Sequence, residues 1–413
     1  MARRYGDAMP TPLRIGLVCP YSLTIPGGVQ AQVMGLARVL RRMGIEARVL
    51  GPCDGPPPAT YVTPLGNSVP TAANGSIAPL APDPSASLRT MRALRDEDFD
   101  VLQLHEPLAP GPTMTALLID AAPVVGTFHA AGDSASYRYG NRPLRWLESH
   151  IDARCVVSKD ALELVERYFG VTDYEMLFNG VELDRYRSVA PAKSDRPTIF
   201  FCGRHEPRKG LSVLLAALAQ LPADVRCWVA SDGPETDELR ARHAGDTRIE
   251  WLGRLSEEDK IARLAGATVF CAPSIHGESF GVVLIEAMAA GTPIVSTDLA
   301  GYLNVATPGV DAVMVPPDDP DALADALRRV LADDELAEVL RRNGTVRAEH
   351  FSMDALACRY ITIYERLVST SPKASRRADP ESPGSPGSDT VRRMLIATSA
   401  RRRHVIPHLQ ERA

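Results

Sequence analysis

The chain has 413 residues, 45% of them apolar and 23% charged, which fits a soluble globular protein and exceeds what one ordinary core holds, so two domains are expected. A net charge of −5 argues against a protein whose main business is coating nucleic acid, and no nucleic-acid partner is expected. The seven cysteines, Cys19, Cys53, Cys155, Cys202, Cys227, Cys271 and Cys358, are odd in number and form no C-x-x-C pair, so neither a zinc site nor a disulfide framework is indicated and a reducing, cytoplasmic setting fits.

Residues 1–12 lack the apolar stretch of a signal peptide and read as a disordered leader. No run approaches the roughly 20 apolar residues that span a bilayer, so membrane contact is expected to be peripheral at most. A strand is expected at 13–19. Gly27-Gly28 follows, then a helix over 29–43 with Val29, Val33, Leu36, Ala37 and Leu40 on its apolar face and Gly44 as its C-cap. A strand at 46–50 completes a β-loop-α-β unit. Further strands are expected at 101–104, 124–128 and 154–157. Short continuous apolar strands alternating with helices indicate a parallel sheet covered on both faces. The pattern restarts near Pro197, with strands at 198–202, 226–230, 249–252, 269–272 and 294–296. Helices are expected between them at 211–220, 257–265, 280–290 and 319–331. The expected organisation is two doubly wound α/β domains, 13–185 and 195–352, then a helix over 353–368 that packs back on the body. Residues 369–413 read as a disordered linker and a basic tail, either a solvated end or a segment for an anionic surface.

Three features carry chemistry. Gly27-Gly28 lies between a strand and a helix, where an open parallel sheet binds its ligands. Glycine there lets backbone N–H groups approach a phosphate, although a plain turn glycine pair is the competing reading. The spacing matches neither G-x-G-x-x-G nor a P-loop. Gly203-Arg204-His205-Glu206-Pro207-Arg208-Lys209-Gly210 places three cations just after the first strand of the second domain, which suits a diphosphate. Glu278 sits in a glycine-containing loop, and Glu286 is expected about two turns into the following helix. Phe280, Val283, Leu284 and Ala287 are its expected buried face. An acid in so apolar a stretch needs a partner or a polar ligand, and sugar hydroxyls serve. The helix start at Ser279-Phe280-Gly281 offers N–H groups to a phosphate.

The segment from Pro273 to Gly291, with Glu278 and Glu286 eight apart, resembles the E-x₇-E signature of family 4 retaining glycosyltransferases. The order of glycine pair, lone His129, G-R-x-x-x-x-K-G loop and E-x₇-E agrees, over roughly residues 13–368. Within that family the chain is most similar to the phosphatidylinositol mannosyltransferases. Pro26-Gly27-Gly28-Val29-Gln30, Asn74-Gly75-Ser76, His105-Glu106-Pro107, Thr127-Phe128-His129 and Glu206-Pro207-Arg208-Lys209-Gly210 carry that likeness. The resemblance implies the GT-B fold, an α/β architecture of two Rossmann-like domains facing a central cleft. It also implies GDP-mannose as donor, an inositol-containing lipid as acceptor, and phospholipid metabolism at the inner face of the membrane.

On that resemblance, Gly28 admits the donor diphosphate, and Arg204 and Lys209 neutralise it and the leaving GDP. Glu278 holds hydroxyls of the transferred sugar, and Glu286 holds the ribose. Ser279, Phe280 and Gly281 belong to the same donor element. Glu257 and Lys260, read as loop residues after Trp251-Leu252-Gly253, are candidates for the base. His129 ends a strand, where it either touches the sugar or is structural. Gln30 and Asn74 remain as acceptor contacts. Preplaced cations and N–H donors stabilise the charge that develops on the diphosphate. No D-x-D cluster is evident, so neither a cofactor nor a divalent metal is required.

The acceptor side departs from the lipid-using enzymes. Their cluster of Lys and Arg is replaced by Arg89, Arg92 and Arg95, with Asp96, Glu97 and Asp98 behind, and Ala130 and Ser134 stand where polar and basic residues occur. Each basic residue near an anionic surface contributes about 1 kcal/mol, so thinner docking is expected. A family 4 transferase with another nucleotide sugar or a soluble acceptor, and a nucleotide-sugar-binding scaffold, remain open.

Overall fold

A computed structural model describes residues 12–73, 76–130, 137 and 141–371. The expected leader up to residue 11, Asn74, Ser134 and the expected tail from residue 372 lie outside the described residues.

The first sheet holds β1 (Arg14–Val18), β2 (Glu46–Gly51), β3 (Val62–Pro64), β6 (Val101–His105), β7 (Val124–Phe128), β8 (Ala153–Val156) and β9 (Glu175–Met176). Its order is β3-β2-β1-β6-β7-β8-β9, every pair parallel. Ile15, Leu17, Val18, Leu102 and Val125 are fully buried because helices cover both faces. A two-stranded antiparallel hairpin, β4 (Val69–Ala73) and β5 (Ser76–Leu80), stands apart from that sheet. The second sheet holds β10 (Thr198–Cys202), β11 (Arg226–Ala230), β12 (Ile249–Gly253), β13 (Val269–Ala272), β14 (Ile294–Thr297) and β15 (Val313–Val315). Its order is β12-β11-β10-β13-β14-β15, again parallel throughout.

In both sheets the order reverses beside the first strand, between β1 and β6 and between β10 and β13. A crevice opens at such a reversal, beyond the carboxyl ends of the strands. The two crevices face one another across a shared cleft lined by residues of both domains.

Helix α1 (Gly28–Arg42) buries Val33, Leu36, Ala37 and Leu40 on the first sheet. It stops at Gly44, whose φ of 88° ends the turn and whose N–H bonds Arg41 O at 3.1 Å. Helices α2 (Pro84–Glu97), α3 (Pro112–Ile119), α4 (Asn141–Glu148) and α5 (Lys159–Phe169) complete the first domain, and the short α6 (Leu183–Ser188) follows the crossing. The second domain carries α7 (Leu211–Leu218), α8 (Thr236–Arg242), α9 (Glu257–Gly266), α10 (Val282–Ala289), α11 (Ala300–Leu303), α12 (Pro320–Ala332) and α13 (Asp334–Ala348). Helix α14 (Met353–Thr370) then returns to the first domain, burying Met353, Ala357, Tyr360 and Tyr364 in the same cluster as Leu36 and Leu40. Its polar groups are matched: Tyr364 donates to Gln103 Oε1, and Gln103 Nε2 donates to Thr127 Oγ1 at 3.3 Å.

The chain crosses between domains twice, and the crossings are laced together. Val181 N bonds Phe351 O at 2.8 Å, and Met353 N bonds Val181 O at 2.9 Å. From α1, Gln32 meets Gly180 with both ends of its amide, Nε2 to O at 2.9 Å and Oε1 from N at 2.8 Å. Gly180 must be glycine, because a Cβ there would lie 2.9 Å from Met353 Cα.

Two expectations about the helices need correction. Helix α10 begins at Val282 rather than residue 280, so Glu286 is its fifth residue, little more than one turn in. Gly281 causes the delay: it holds φ at 85°, and a Cβ there would come within 2.7 Å of the Tyr302 ring. Val283 is only half-buried, and Ile285 and Met288 take the buried positions beside Leu284 and Ala287. Glu257 and Lys260 lie on the first turn of α9, as the helix expected over 257–265 requires, so their reading as loop residues does not hold. Ser256 caps that helix by accepting from Asp259 N at 3.0 Å, and its acidic first turn suits the helix dipole.

Candidate active site

The cleft measures about 2070 Å³, more than the 300–1,000 Å³ common for a single small ligand and enough for a donor and an acceptor together. Its second-domain wall is built by the basic loop after β10 and the 273–286 segment. Gly210 joins the two: its φ is 66°, and a Cβ there would sit 1.9 Å from Pro273 O. That close approach sets Lys209 directly on Glu278, whose Oε1 accepts from Lys209 Nζ. Ser274 Oγ donates to the same oxygen at 2.9 Å, and Arg208 Nη1 lies 3.7 Å from it while donating to Gly277 O at 3.2 Å. Arg204 is more open, its side chain 46% exposed and its Nε 3.8 Å from Glu206 Oε1.

Glu286 is the acid that sequence reasoning left in need of a partner. Lys260 supplies it, with Nζ 2.9 Å from Glu286 Oε1 and 3.2 Å from Glu257 Oε1. Burial opposes the charge on Lys260, but the two carboxylates outweigh it and the ammonium is held above its ordinary value. The donor wall thus carries two lysine–glutamate pairs side by side, and a ligand's phosphates and hydroxyls can exchange for partners already paired.

The first-domain wall is formed by the loop after β1, the start of α1 and the ends of β6 and β7. Gly28 opens α1, and a Cβ on it would meet nothing within 4 Å, so its surroundings are open cleft. Both α1 and α10 start on glycine caps, Gly27 and Gly281, with no side-chain cap, leaving first-turn N–H groups to an anion. Gln30 folds back beneath the glycines, its Nε2 donating to Ser22 O at 3.3 Å and Ile25 O at 3.2 Å.

His129 follows β7 and is almost fully buried at the floor of the cleft. Its Nε2 lies 3.0 Å from His105 Nδ1, and the Asn179 side chain also bonds it. Burial holds His129 at about 4, the Asn179 bond opposing only in part, so the ring is neutral at physiological pH. Glu106 braces the same turn by accepting the backbone N–H of His129 at 2.6 Å and that of Ala130. Glu106 lines the cleft, and burial raises its carboxyl to about 7.

Most residues singled out in the sequence meet in this one cleft: Gly28, Gln30 and His129 on one wall, Arg204, Lys209, Glu278 and Ser279 on the other. Glu257, Lys260 and Glu286 line it too. Phe280 and Gly281 do not line it. The Phe280 ring is buried and stacks on Phe178 with centroids 5.6 Å apart, and Gly281 packs under Tyr302, so their part is to shape the segment. Arg208, Ser274, Glu106, His105 and Asn179 had no individual role in the sequence reading. Arg208 and the His105-Glu106-Pro107 run were visible as motif residues, whereas nothing in the local sequence ties Asn179 to His129. Among the described residues no group of three or more His, Cys, Asp or Glu stands close enough to hold a metal ion.

Two parallel α/β domains across a cleft, with a basic loop and paired glutamates on one wall, define a glycosyltransferase of the GT-B fold. The fold is shared by sucrose-phosphate synthase from Thermosynechococcus elongatus (TM-score 0.69, 20% identity, 87% of this chain and all of that one). It is shared too by the Anabaena protein HepE in complex with UDP and glucose (TM-score 0.66, 17% identity, 86% of this chain and all of that one). Family models match in both halves, "Glycosyltransferase Family 4" over 26–185 and "Glycosyl transferases group 1" over 184–347. The phosphatidyl-myo-inositol mannosyltransferase of Mycobacterium leprae is 39% identical over 374 residues, 87% of this chain and 99% of that protein. That of Mycolicibacterium smegmatis is 38% identical over 86% of this chain and 94% of its own length. The chain belongs to glycosyltransferase family 4 and, within it, to the family of the phosphatidyl-myo-inositol mannosyltransferases.

Proposed function

We propose that the protein moves a mannosyl group, with retention, from GDP-mannose to the inositol of a phosphatidylinositol-type lipid. The observation that supports this best is the doubled pairing on the donor wall, Lys209 on Glu278 and Lys260 on Glu286, in a chain 39% identical to an enzyme of that name. In this reading the diphosphate enters between Gly28 and the basic loop. Arg204 and Lys209 take up the charge that grows as the anomeric bond breaks, helped by the N-termini of α1 and α10. Glu278 turns from Lys209 to the sugar hydroxyls, Glu286 holds the ribose, and His129 offers a neutral ring beside the sugar. Gln30 and Asn74 are the acceptor contacts that the family resemblance implies. Retention follows from attack on the same face as the leaving phosphate, whose oxygen assists the incoming hydroxyl. No side-chain nucleophile or divalent ion is invoked. Docking to the inner face of the membrane is peripheral, through α2.

The test is transfer of labelled mannose from GDP-mannose to phosphatidylinositol in vesicles by the purified protein. A protein that neither transfers nor hydrolyses GDP-mannose overturns the reading. A soluble inositol phosphate as acceptor is the second reading, favoured by α2, where Arg92 and Arg95 are both paired with Asp96. A relative from Xylanimonas cellulosilytica, 29% identical over 84% of this chain, is a D-inositol 3-phosphate glycosyltransferase. Equal assays with lipid and soluble acceptors separate the two.

A further inference from the structure

Glu106 stands at the end of β6 with φ at 52°, in the left-handed region that a non-glycine residue rarely adopts. Its backbone is tied in place: N bonds Thr127 O at 2.8 Å, and its carbonyl accepts from Thr113 Oγ1 at 3.1 Å and Ala109 N at 3.0 Å. The side chain is buried, yet the residue lines the cleft. Oε1 is used by the two backbone N–H groups of His129 and Ala130. Among the described residues no Lys or Arg pairs with this carboxylate and no group donates to Oε2. The titratable groups that face it are Tyr21 from the loop after β1, Tyr137, and the neighbouring His105 and His129. Both tyrosines are pushed up, by burial first and then by the charge of Glu106. A buried carboxylate held in a strained backbone, with one oxygen to which no described residue donates and no cation among them, is short of hydrogen-bond donors.

We propose that Glu106 Oε2 accepts a hydrogen bond from an acceptor polyol, from the hydroxyl next to the one that attacks, and so aims the attacking hydroxyl at the donor. The proposal rests on the glycosyltransferase reading and adds an acceptor-side residue to it. Glu106 takes no proton in this role. It works as the carboxylate, because the protonated form can no longer offer two accepting oxygens. Its carboxyl, raised to about 7 by burial, makes acceptor use fall as pH drops below neutrality.

The test is Glu106→Gln, whose amide oxygen still accepts the backbone N–H groups of His129 and Ala130. The expected result is a folded protein with kcat/KM for the acceptor lower by about 10- to 100-fold, the range for losing a hydrogen bond to a charged group. KM for GDP-mannose and the rate of GDP-mannose hydrolysis stay at wild-type values. The acid limb of acceptor kcat/KM near pH 7, present in the wild type, is absent in the variant. Melting temperature at pH 8 is equal to or above that of the wild type, since a neutral amide replaces a buried charge. Wild-type acceptor kcat/KM in Glu106→Gln, a retained acid limb, or equal losses of hydrolysis and transfer each overturn the proposal. A wild-type protein that transfers no mannose counts against the mannosyltransferase reading instead. In that case the melting shift given by inositol 1-phosphate decides, and equal shifts in wild type and variant overturn the role of Glu106.

Discussion

Lys260 and Glu286 meet across the packed faces of α9 and α10, Nζ to Oε1 at 2.9 Å, with only 16% and 14% of their side chains exposed. An ion pair so enclosed adds little net stability, but removing Lys260 leaves the enclosed Glu286 carboxylate without its cation. Lys260→Met is therefore expected to lower unfolding free energy by roughly 3 kcal/mol. The double variant Lys260→Met with Glu286→Leu is expected to recover most of that loss. Urea denaturation of the singles and the double as a cycle measures it. Additive losses would show that the pair is not coupled.

Lys209 and Glu278 pose a related question with a catalytic readout. Each neutralises the other in the ligand-free cleft, and each is assigned a different part of the donor. Lys209→Ala is expected to cut kcat by about 10²- to 10³-fold, the effect of losing one group that stabilises developing charge. KM for GDP-mannose should move far less. Because the protein's own cations carry that charge in this reading, adding a chelator should leave the rate unchanged. A chelator-sensitive rate restored by a divalent ion would move the charge from Arg204 and Lys209 to a metal.

The fold was largely legible because buried parallel strands are short, unbroken apolar runs, and those of the two sheet centres fall within one residue of their expected bounds. The strands not foreseen are edge or hairpin pieces. β3, β9 and β15 have three residues or fewer, too short for any periodicity, and β4 and β5 carry Pro70 and Pro79. The donor wall was legible because its residues sit in short local motifs, the basic loop at 203–210 and the 277–286 segment, even though Lys209 and Glu278 are 69 residues apart. The floor of the acceptor wall was not, because His129 is set by Asn179 at the crossing and by Glu106 at the next strand end. The buried side of Phe280 was foreseen, whereas its place in the donor element came from the resemblance; the left-handed turn at Gly281 separates its ring from the helix start that faces the cleft.

The buried histidines give stability a pH dependence whose sign can be worked out. His129 is held at about 4, by burial first, and His105 lies well below its ordinary value for the same reason and because of His129. A group depressed in the folded state stabilises above its unfolded pKa of about 6.5 and loses that contribution as pH falls. For His129 the window runs from about 6.5 to about 4 and is worth on the order of 3 kcal/mol. Glu106 has the opposite sign: raised to about 7, its contribution is present below about 4.5 and lost as pH rises through 7. Melting temperature followed from pH 7.5 to 5 should therefore fall less steeply in His129→Gln than in the wild type. It should fall more steeply in Glu106→Gln, where the opposing group is gone. Parallel curves for all three proteins would mean that neither side chain is buried in solution as it is here.

The proposed membrane docking turns on the charges of α2. Arg92 Nε lies 3.3 Å from Asp96 Oδ2, and Arg95 Nη2 lies 3.1 Å from Asp96 Oδ1, so one acid engages two of the three arginines on this helix. Arg89 instead donates to Ser85 Oγ at 3.0 Å, and Leu88 beside it is 63% exposed. An exposed leucine among arginines suits an anionic bilayer, which attracts cations over about one Debye length. Asp96 works against that attraction twice, by its own charge and by holding two cations. Asp96→Asn is expected to raise the fraction of protein bound to vesicles containing anionic lipid, with no change on neutral vesicles and with the gain abolished at high salt. Mannose transfer to the lipid acceptor should rise with it, while transfer to a soluble inositol phosphate stays constant. Sedimentation with vesicles, together with the two transfer assays, gives the answer. Unchanged vesicle binding in Asp96→Asn would remove α2 from the membrane surface, and a gain on both acceptors would show that Asp96 acts on the cleft rather than on docking.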